Sequence, residues 1–329
     1  MPEISVVVAT YNRQTLLRRL LEDLGRQTLG AERFEVVVVD DGSQEPVKRT
    51  LGATRFPFRL TLLEQANAGA ALARHRGIEA ASGRIVLITD DDVRVAPDFV
   101  ERHLGRHATA PHRVVLGPIR PDPGVWSREL FEKWYVRFFA RLEARLSQPG
   151  RRPRGTELYT ANVSLERTDY LAVGGFDEAL GQSEDVELGL RLEKAGCVFE
   201  YAVDAPVWHG SDHPSFGAWL KRAHRYGVFE WRMAHKHEDL REVSPYRFIS
   251  ELRWPAPPFL LAAGLWPRAS RPLSSLILAV ARLLDRAGME GPACAGLSVA
   301  YSMEYYRGVR AAAGSLRSFI AEFVARSRR

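Results

Sequence analysis

Apolar and polar positions follow two different periods along the first hundred residues. Short apolar stretches at Ile4 to Ala9, Val36 to Val39, Arg59 to Leu63 and Ile85 to Ile88 predict strands. The uninterrupted valines of the second predict a strand covered on both faces. Between these stretches, Thr15 to Leu24 and the alanine-rich Ala68 to Ala81 place apolar residues at helical spacing. This βαβα order predicts an α/β fold, a largely parallel sheet flanked by helices. Ligands of such sheets collect at the carboxyl ends of the strands. Three of the four stretches end there in polar groups: Thr10-Tyr11-Asn12, Asp40-Asp41-Gly42-Ser43 and Asp90-Asp91-Asp92.

Further along, Arg113 to Leu116 predicts another strand, and Trp126 to Leu146 alternates aromatic and basic residues at helical spacing. Ser147 to Gly155, with two prolines and two glycines, supports neither helix nor ladder and reads as a mobile loop. Asp185 to Ala195 predicts a helix with acids at its start and Gly196 placed to cap its end. Beyond Ser215 the pattern is helical throughout, so the chain divides into residues 1–212 and a helical C-terminal region, 213–329. The apolar stretches Phe259 to Trp266 and Leu273 to Leu284 each fall short of the roughly 20 residues of a spanning helix. They read as helices that pack on the domain or lie in a membrane interface.

Composition removes several classes. With 46% hydrophobic and 26% charged residues over 329 positions, neither wholesale disorder nor a fibrous chain fits. Two cysteines, Cys197 and Cys294, exclude a disulfide framework and argue against a thiolate zinc site. The start Met1-Pro2-Glu3 lacks the basic opening of a secretion signal, so a cytoplasmic location is expected. The net charge of +6 is unevenly spread: from Arg241 to Arg329 there are thirteen Arg, no Lys and six acids, leaving the preceding residues close to neutral. No nucleic-acid-binding module accompanies it. An arginine-biased segment suits peripheral contact with an anionic membrane, or is simply a solvated basic surface.

The acids at strand ends carry the chemistry. Three consecutive carboxylates after a buried strand are costly unless a cation or a donor-rich ligand compensates. Mn²⁺ or Mg²⁺ prefers oxygen ligands and shares them with diphosphate, although an acid triplet also serves as a helix cap or exposed turn. In Asp40-Asp41, one carboxylate can cap the following turn while the other receives hydrogen bonds from a base or ribose; a plain Asx-turn is the alternative. Arg74 is a fixed cation on a small-residue helix, or a solvated arginine. Glu184-Asp185 sits at a helix start, where the dipole keeps a carboxylate ionised and ready to take a proton; a capping box is the bland counterpart. Trp208-His209 ends another apolar stretch.

Six segments occur in the order seen in family 2 glycosyltransferases of the GT-A fold: Ser5 to Arg13, Val39 to Ser43, Asn67 to Arg74, Thr89 to Asp92, Gly174 to Glu178 and Glu184 to Arg191. The resemblance covers roughly residues 3–212, which it makes a GT-A nucleotide-sugar and acceptor-binding catalytic domain. It implies that Thr10 and Asp41 hold the nucleotide base and ribose, and that Arg74 contacts base or diphosphate. Asp90 and Asp92 match the ends of the DxD signature, with Asp91 between them on the donor side. Asp90 would lie near ribose and metal, Asp92 would bind the metal, and His209 matches a metal ligand of some GT-A enzymes. Asp185 matches the catalytic base and Glu184 a positioning group. Gly175, Phe176 and Asp177 match the sugar and acceptor pocket. Apart from the resemblance, Trp208 or Trp126 could stack on a sugar ring, or be a buried core aromatic.

The resemblance therefore implies inverting, metal-dependent transfer from a nucleotide diphosphate sugar, expected to be a UDP sugar. The acceptor would be a hydroxyl of a glycan, glycolipid or similar molecule in cell-surface or polysaccharide synthesis, and Arg151 to Arg154 would meet a phosphorylated or lipid-linked one. Processive synthases resembling this family carry a Gln-x-x-Arg-Trp motif; Trp219 to Gly227 lacks it, which points to distributive transfer. Two other classes share the pattern. A sugar nucleotidyltransferase needs a glycine-rich basic loop after the first strand, where this chain has Thr10 to Gln14; a non-catalytic GT-A-like binding protein would be expected to lack Asp185 or Asp92.

Overall fold

The computed structural model describes residues 1–123, 129–210, 215–246, 249 and 255–327. The strands β1 (Ile4–Thr10), β2 (Phe34–Asp40), β3 (Arg59–Glu64) and β4 (Ile85–Asp90) are parallel neighbours in the order β3-β2-β1-β4. The sheet continues through β8 (Asn162–Glu166), β6 (Arg113–Leu116) and β9 (Val198–Tyr201). Only β8 runs against its neighbours, pairing antiparallel with both β4 and β6. A second sheet of three short strands joins β5 (Val93–Val95), β10 (Val207–His209) and β7 (Ile119–Pro121).

Every residue of β2 is buried, as its run of valines requires. On β1, Val6 and Val8 face one core with Leu17, Leu20 and Leu21 of α1 (Gln14–Leu24). Val7 faces the other core with Ile78 of α3 (Ala70–Ala80) and Leu188 of α7 (Glu184–Lys194). Period-two side chains on the strands thus meet period-3.6 stripes on helices of both faces. Gly77 lets α3 lie close to the sheet: a Cβ there would stand 2.5 Å from Val7 Cγ1 and 3.2 Å from Val39 Cγ2.

Contacts group the chain into two compact units, Met1–Trp126 with Phe138–Asp212, and Ser127–Arg137 with His213–Arg329. The expected division at 212/213 falls at residues outside those described. The helix expected from Trp126 is described from Leu130 to Leu146, and Trp126 itself also lies outside the described residues. The second unit is helical, with Phe216–Lys236, Ala256–Leu265, Arg271–Arg286, Glu290–Ala312 and Leu316–Ser327. Among the described residues, no helix is long and apolar enough to cross a membrane.

Ser147 to Gly155 is turn and irregular chain, as expected, up to a short 3-10 turn at Gly155–Glu157, and two of its arginines are held. Arg151 grips Glu157 with two hydrogen bonds of 2.8 and 3.1 Å, and Arg154 binds Glu193 at 2.6 Å. Arg151 and Arg154 are thus engaged by carboxylates of this chain, while Arg152 between them is exposed. The partners lie 6 and 39 positions away, beyond the reach of local pattern reading.

Candidate active site

Asp90 closes β4, and the next two residues turn the chain directly into β5. Antiparallel pairing of β5 with β10 sets Val93 opposite His209. His209 Nε2 consequently lies 3.2 Å from Asp92 Oδ1 and 3.5 Å from Asp90 Oδ2. One ligand atom from each of the three residues falls within 4.8 Å of the others. The other ring nitrogen, Nδ1, donates to the Gly210 carbonyl, leaving Nε2 as the one turned toward the carboxylates.

The cluster is short of positive charge. Asp92 is nearly inaccessible, with its side chain 2% exposed; Oδ2 accepts from Arg13 Nη1 at 2.9 Å, while buried Oδ1 accepts no aligned hydrogen bond among the described residues. Burial, with the charges of Asp90 and Asp91 adding to it, pushes its carboxyl up to about 6 against the opposing pull of His209 and Arg13. Burial also raises Asp91, which accepts from Thr10 Oγ1 at 2.6 Å and from Arg13 at 3.2 Å. At Asp90 burial is outweighed: the Arg74 guanidinium and His209 hold that carboxyl well below the usual range. Two carboxylates and an imidazole, with one buried oxygen lacking a hydrogen bond, make a donor set that fits Mn²⁺ or Mg²⁺.

Arg74 links this cluster to α7. It is buried on α3, donates to Asp90 Oδ1 at 2.6 Å and places Nη1 3.6 Å from Glu184 Oε1, with Asp185 also acting on its charge. The Glu184-Asp185 pair therefore comes to the same region as Asp90 and Asp92, although β4 and α7 are far apart in sequence. Asp185 occupies the first turn of α7, where its Oδ1 accepts from the Val186 N–H at 2.8 Å and the helix dipole favours the ionised form.

The Asp40-Asp41 pair divides its work. Asp40 accepts from the Ser43 and Val47 N–H groups and caps the turn after β2. Asp41 Oδ1 accepts from Gln65 Nε2 and the Ala68 N–H at 2.8 Å each, and Oδ2 from the Gly69 N–H at 2.9 Å. This ties the end of β2 to the start of α3. The loops after β1 and β2 are also cross-linked, because Asn12, in the left-handed region at φ 55°, receives the Gln44 N–H on Oδ1 and gives its own N–H to Ser43.

Two assignments for the sugar and acceptor pocket need correction. Phe176 is 5% exposed and packs edge-on against Tyr170 within the core. It anchors its loop instead of lining a pocket. Trp208 neighbours His209 on β10, and strand alternation sends the two to opposite faces. It shares its face with register partners Arg94 and Arg120, away from the carboxylates. Gly175 does have a steric reason: at φ 69°, a Cβ would stand 2.6 Å from His75 Nδ1 and 3.0 Å from the Tyr170 hydroxyl. Asp177 receives the Ala179 N–H on Oδ1, forming a local turn.

The description "Glycosyl transferase family 2" matches residues 5–159, and "Glycosyl transferase family group 2" matches residues 85–287, more than half of the chain. The chain belongs to the family 2 glycosyltransferases. A validoxylamine A glucosyltransferase of Streptomyces hygroscopicus subsp. limoneus is 36% identical over 222 residues, 59% of this chain and 49% of that protein. The counterpart from subsp. jinggangensis (strain 5008) is 36% identical over the same length, 52% of its own chain. This family 2 chain thus spans about half the length of the curated relatives it matches. Among solved structures, a mannosyltransferase from Pyrobaculum calidifontis in complex with GDP-Man and Mn²⁺ aligns with a TM-score of 0.57 at 21% identity, covering 99% of this chain and 87% of that one. S. aureus TarS 1–349 in complex with UDP-GlcNAc gives 0.53 at 18%, covering 91% of each. These likenesses establish the GT-A-like fold.

Two residues of this family 2 site escaped the reading of the sequence. Arg13 neutralises Asp91 and Asp92 from the loop after β1, and its place in Tyr11-Asn12-Arg13 was the available signal. Ser183 precedes Glu184 in a left-handed conformation, φ 62°, with a buried hydroxyl that has no partner among the described residues. Such a conformation costs about 1–3 kcal/mol for a non-glycine residue, and local composition does not announce it.

Proposed function

We propose that this chain transfers a sugar from a nucleotide diphosphate sugar to an acceptor hydroxyl, inverting the anomeric centre. The observation that carries the reading is Arg74, which reaches from Asp90 at a strand end to Glu184 at the head of α7 and so joins a cation-poor carboxylate cluster to a candidate base. Thr10, Asp41 and Arg74 hold the nucleotide; Asp90, Asp91 and Asp92 face its ribose and diphosphate. Asp90, Asp92 and His209 would hold Mn²⁺ or Mg²⁺, which supplies a Lewis acid against the charge of the departing nucleoside diphosphate. Asp185 takes the acceptor proton as the oxygen attacks, and Glu184, paired with Arg74, orients the acceptor. Gly175 and Asp177 shape the neighbouring loop. A single displacement needs one base and no covalent intermediate. A sugar nucleotidyltransferase is disfavoured because the loop after β1 places Asn12, not glycine, in the left-handed position.

Relatives at 36% identity are named as validoxylamine A glucosyltransferases, so a glucose donor and validoxylamine A head the panel, followed by glycan and glycolipid acceptors. UDP-glucose is expected to turn over, with GDP-mannose testing the base. In the presence of Mn²⁺, Asp185→Asn should lower transfer by about 10²–10⁴-fold, the range of a lost general base, while donor affinity stays near wild type. Unimpaired transfer by that variant would show that another group takes the proton.

A further inference from the structure

We propose that the outward face of the helix Arg271–Arg286 is a docking surface for an anionic membrane. Leu276, Val280 and Leu283 follow one another by four and three positions along this helix and are 61%, 47% and 66% exposed. Trp266 lies five positions before the helix at 61% exposure, and Met289 three positions beyond it at 49%. The opposite face is already used, with Ser274 and Ala281 buried and Ala281 against Gly296 of the following helix. A contiguous apolar stripe left in water at this density marks an interaction surface.

Charge identifies the occupant. Arg268, Arg271 and Arg286 are exposed on and beside this helix, as is Arg282, whose guanidinium lies over the Phe216 ring. The acid of the helix, Asp285, is turned inward and paired with Lys133 at 2.6 Å, and Glu290 is paired with Arg137 at 2.8 Å. The outward face therefore offers hydrocarbon flanked by exposed arginines, while both acids of this stretch, Asp285 and Glu290, are already paired. A helix of 16 residues that cannot cross a bilayer lies in its interface plane, leucines among the acyl chains and arginines at the headgroups. A symmetric contact with a second copy would instead bring like-charged arginines face to face. Trp266, with an apolar ring and one N–H donor, suits the boundary between the two layers.

Flotation of the full chain with neutral phosphatidylcholine vesicles, and with vesicles containing phosphatidylglycerol, tests this at low and high salt. Binding should appear on anionic vesicles only and weaken with salt. The pair Leu276→Gln/Leu283→Gln should lower the partition coefficient about tenfold or more, and Arg271→Gln/Arg286→Gln about tenfold at low salt. All four positions are exposed, so both variants should melt as wild type does. Absence of flotation, equal binding to neutral vesicles, or binding unmoved by the leucine pair would overturn the proposal. So would light scattering that shows a dimer abolished by the leucine pair without lipid binding. None of these readouts involves sugar transfer, so failure here leaves the catalytic reading untouched.

Discussion

Two triads of metal-ligating residues sit at opposite ends of the same sheet, and they differ in what surrounds them. Asp90, Asp92 and His209 gather at the carboxyl end of β4. His112, Glu166 and Asp169 gather at the other end, because antiparallel β8 sets Glu166 beside Ile85, the first residue of β4. In the second triad Glu166 meets Arg84 at 3.1 Å and Asp169 Oδ1 meets His112, itself one of the three, at 2.8 Å, while Asp169 Oδ2 is buried without a hydrogen bond among the described residues. His112 is 61% exposed, and its hydrogen bond to Asp169 raises its pKa. In the first triad Asp90 and Asp92, with Asp91 between them, share Arg13, Arg74 and the one imidazole, and Asp92 is almost wholly buried. Ligand type, spacing and one buried carboxylate oxygen without a hydrogen bond are common to both ends; what sets the proposed site apart is three consecutive carboxylates in one place.

The contrast can be broken most decisively at Asp92. Asp92→Ala should reduce Mn²⁺-stimulated nucleotide release by about 10²–10³-fold, the scale of losing one electrostatic contact to a developing anion, here the cation that Asp92 would hold, and titration calorimetry should show Mn²⁺ binding lost. Stability against acid tests the strand between the two ends. Asn162 and Ser164 of β8 are held by His103 at 2.9 and 2.8 Å, and Ser164 also by His107 at 2.8 Å. Burial lowers the His103 pKa from 6.5 to about 4 and that of His107 to about 3. Because the unfolded chain takes up protons first, this contribution is complete above pH 6.5 and is lost as pH falls toward 4. The loss should be on the order of 3 kcal/mol for each histidine by urea denaturation, and a flat profile across that window would show that the histidines are not held neutral.

A somewhat smaller penalty is expected for Gly175→Ala, about 1–3 kcal/mol from the forced left-handed backbone, read as a lower urea midpoint. The smallest effect belongs to the second triad. His112→Ala should leave nucleotide release within about twofold of wild type, as for an exposed ion pair, and should not alter the Mn²⁺ stoichiometry. Equal damage at both ends would erase the distinction between them.

The sheet was legible because its strands and helices carry unmixed periods; β2 is the clearest case, a run of valines buried on both faces. The acids at strand ends were legible for the same reason, since their place follows from where each apolar run stops. His209 is different. It reaches Asp92 through β10 pairing with β5, a contact between strands more than a hundred positions apart, and only family resemblance pointed to it. Trp208 was misassigned because adjacency in sequence means opposite faces on a strand. The pairing of Arg151 and Arg154 was not legible because their carboxylate partners lie on other segments, and Ser183 gave no signal because its strain is a property of the turn as a whole.

Gly77 acts as a spacer of zero thickness. One helical turn separates it from Arg74, so the depth at which that guanidinium hangs over the strand ends is gauged by bare backbone resting on Val7 and Val39. A single added methyl would work as a shim, lifting the helix and withdrawing the cation from both carboxylates it spans. Where reacting groups must meet to within about 1 Å, a misplacement of that size costs about 10²-fold in rate, so the tolerance of the whole site is set by a residue that touches no substrate.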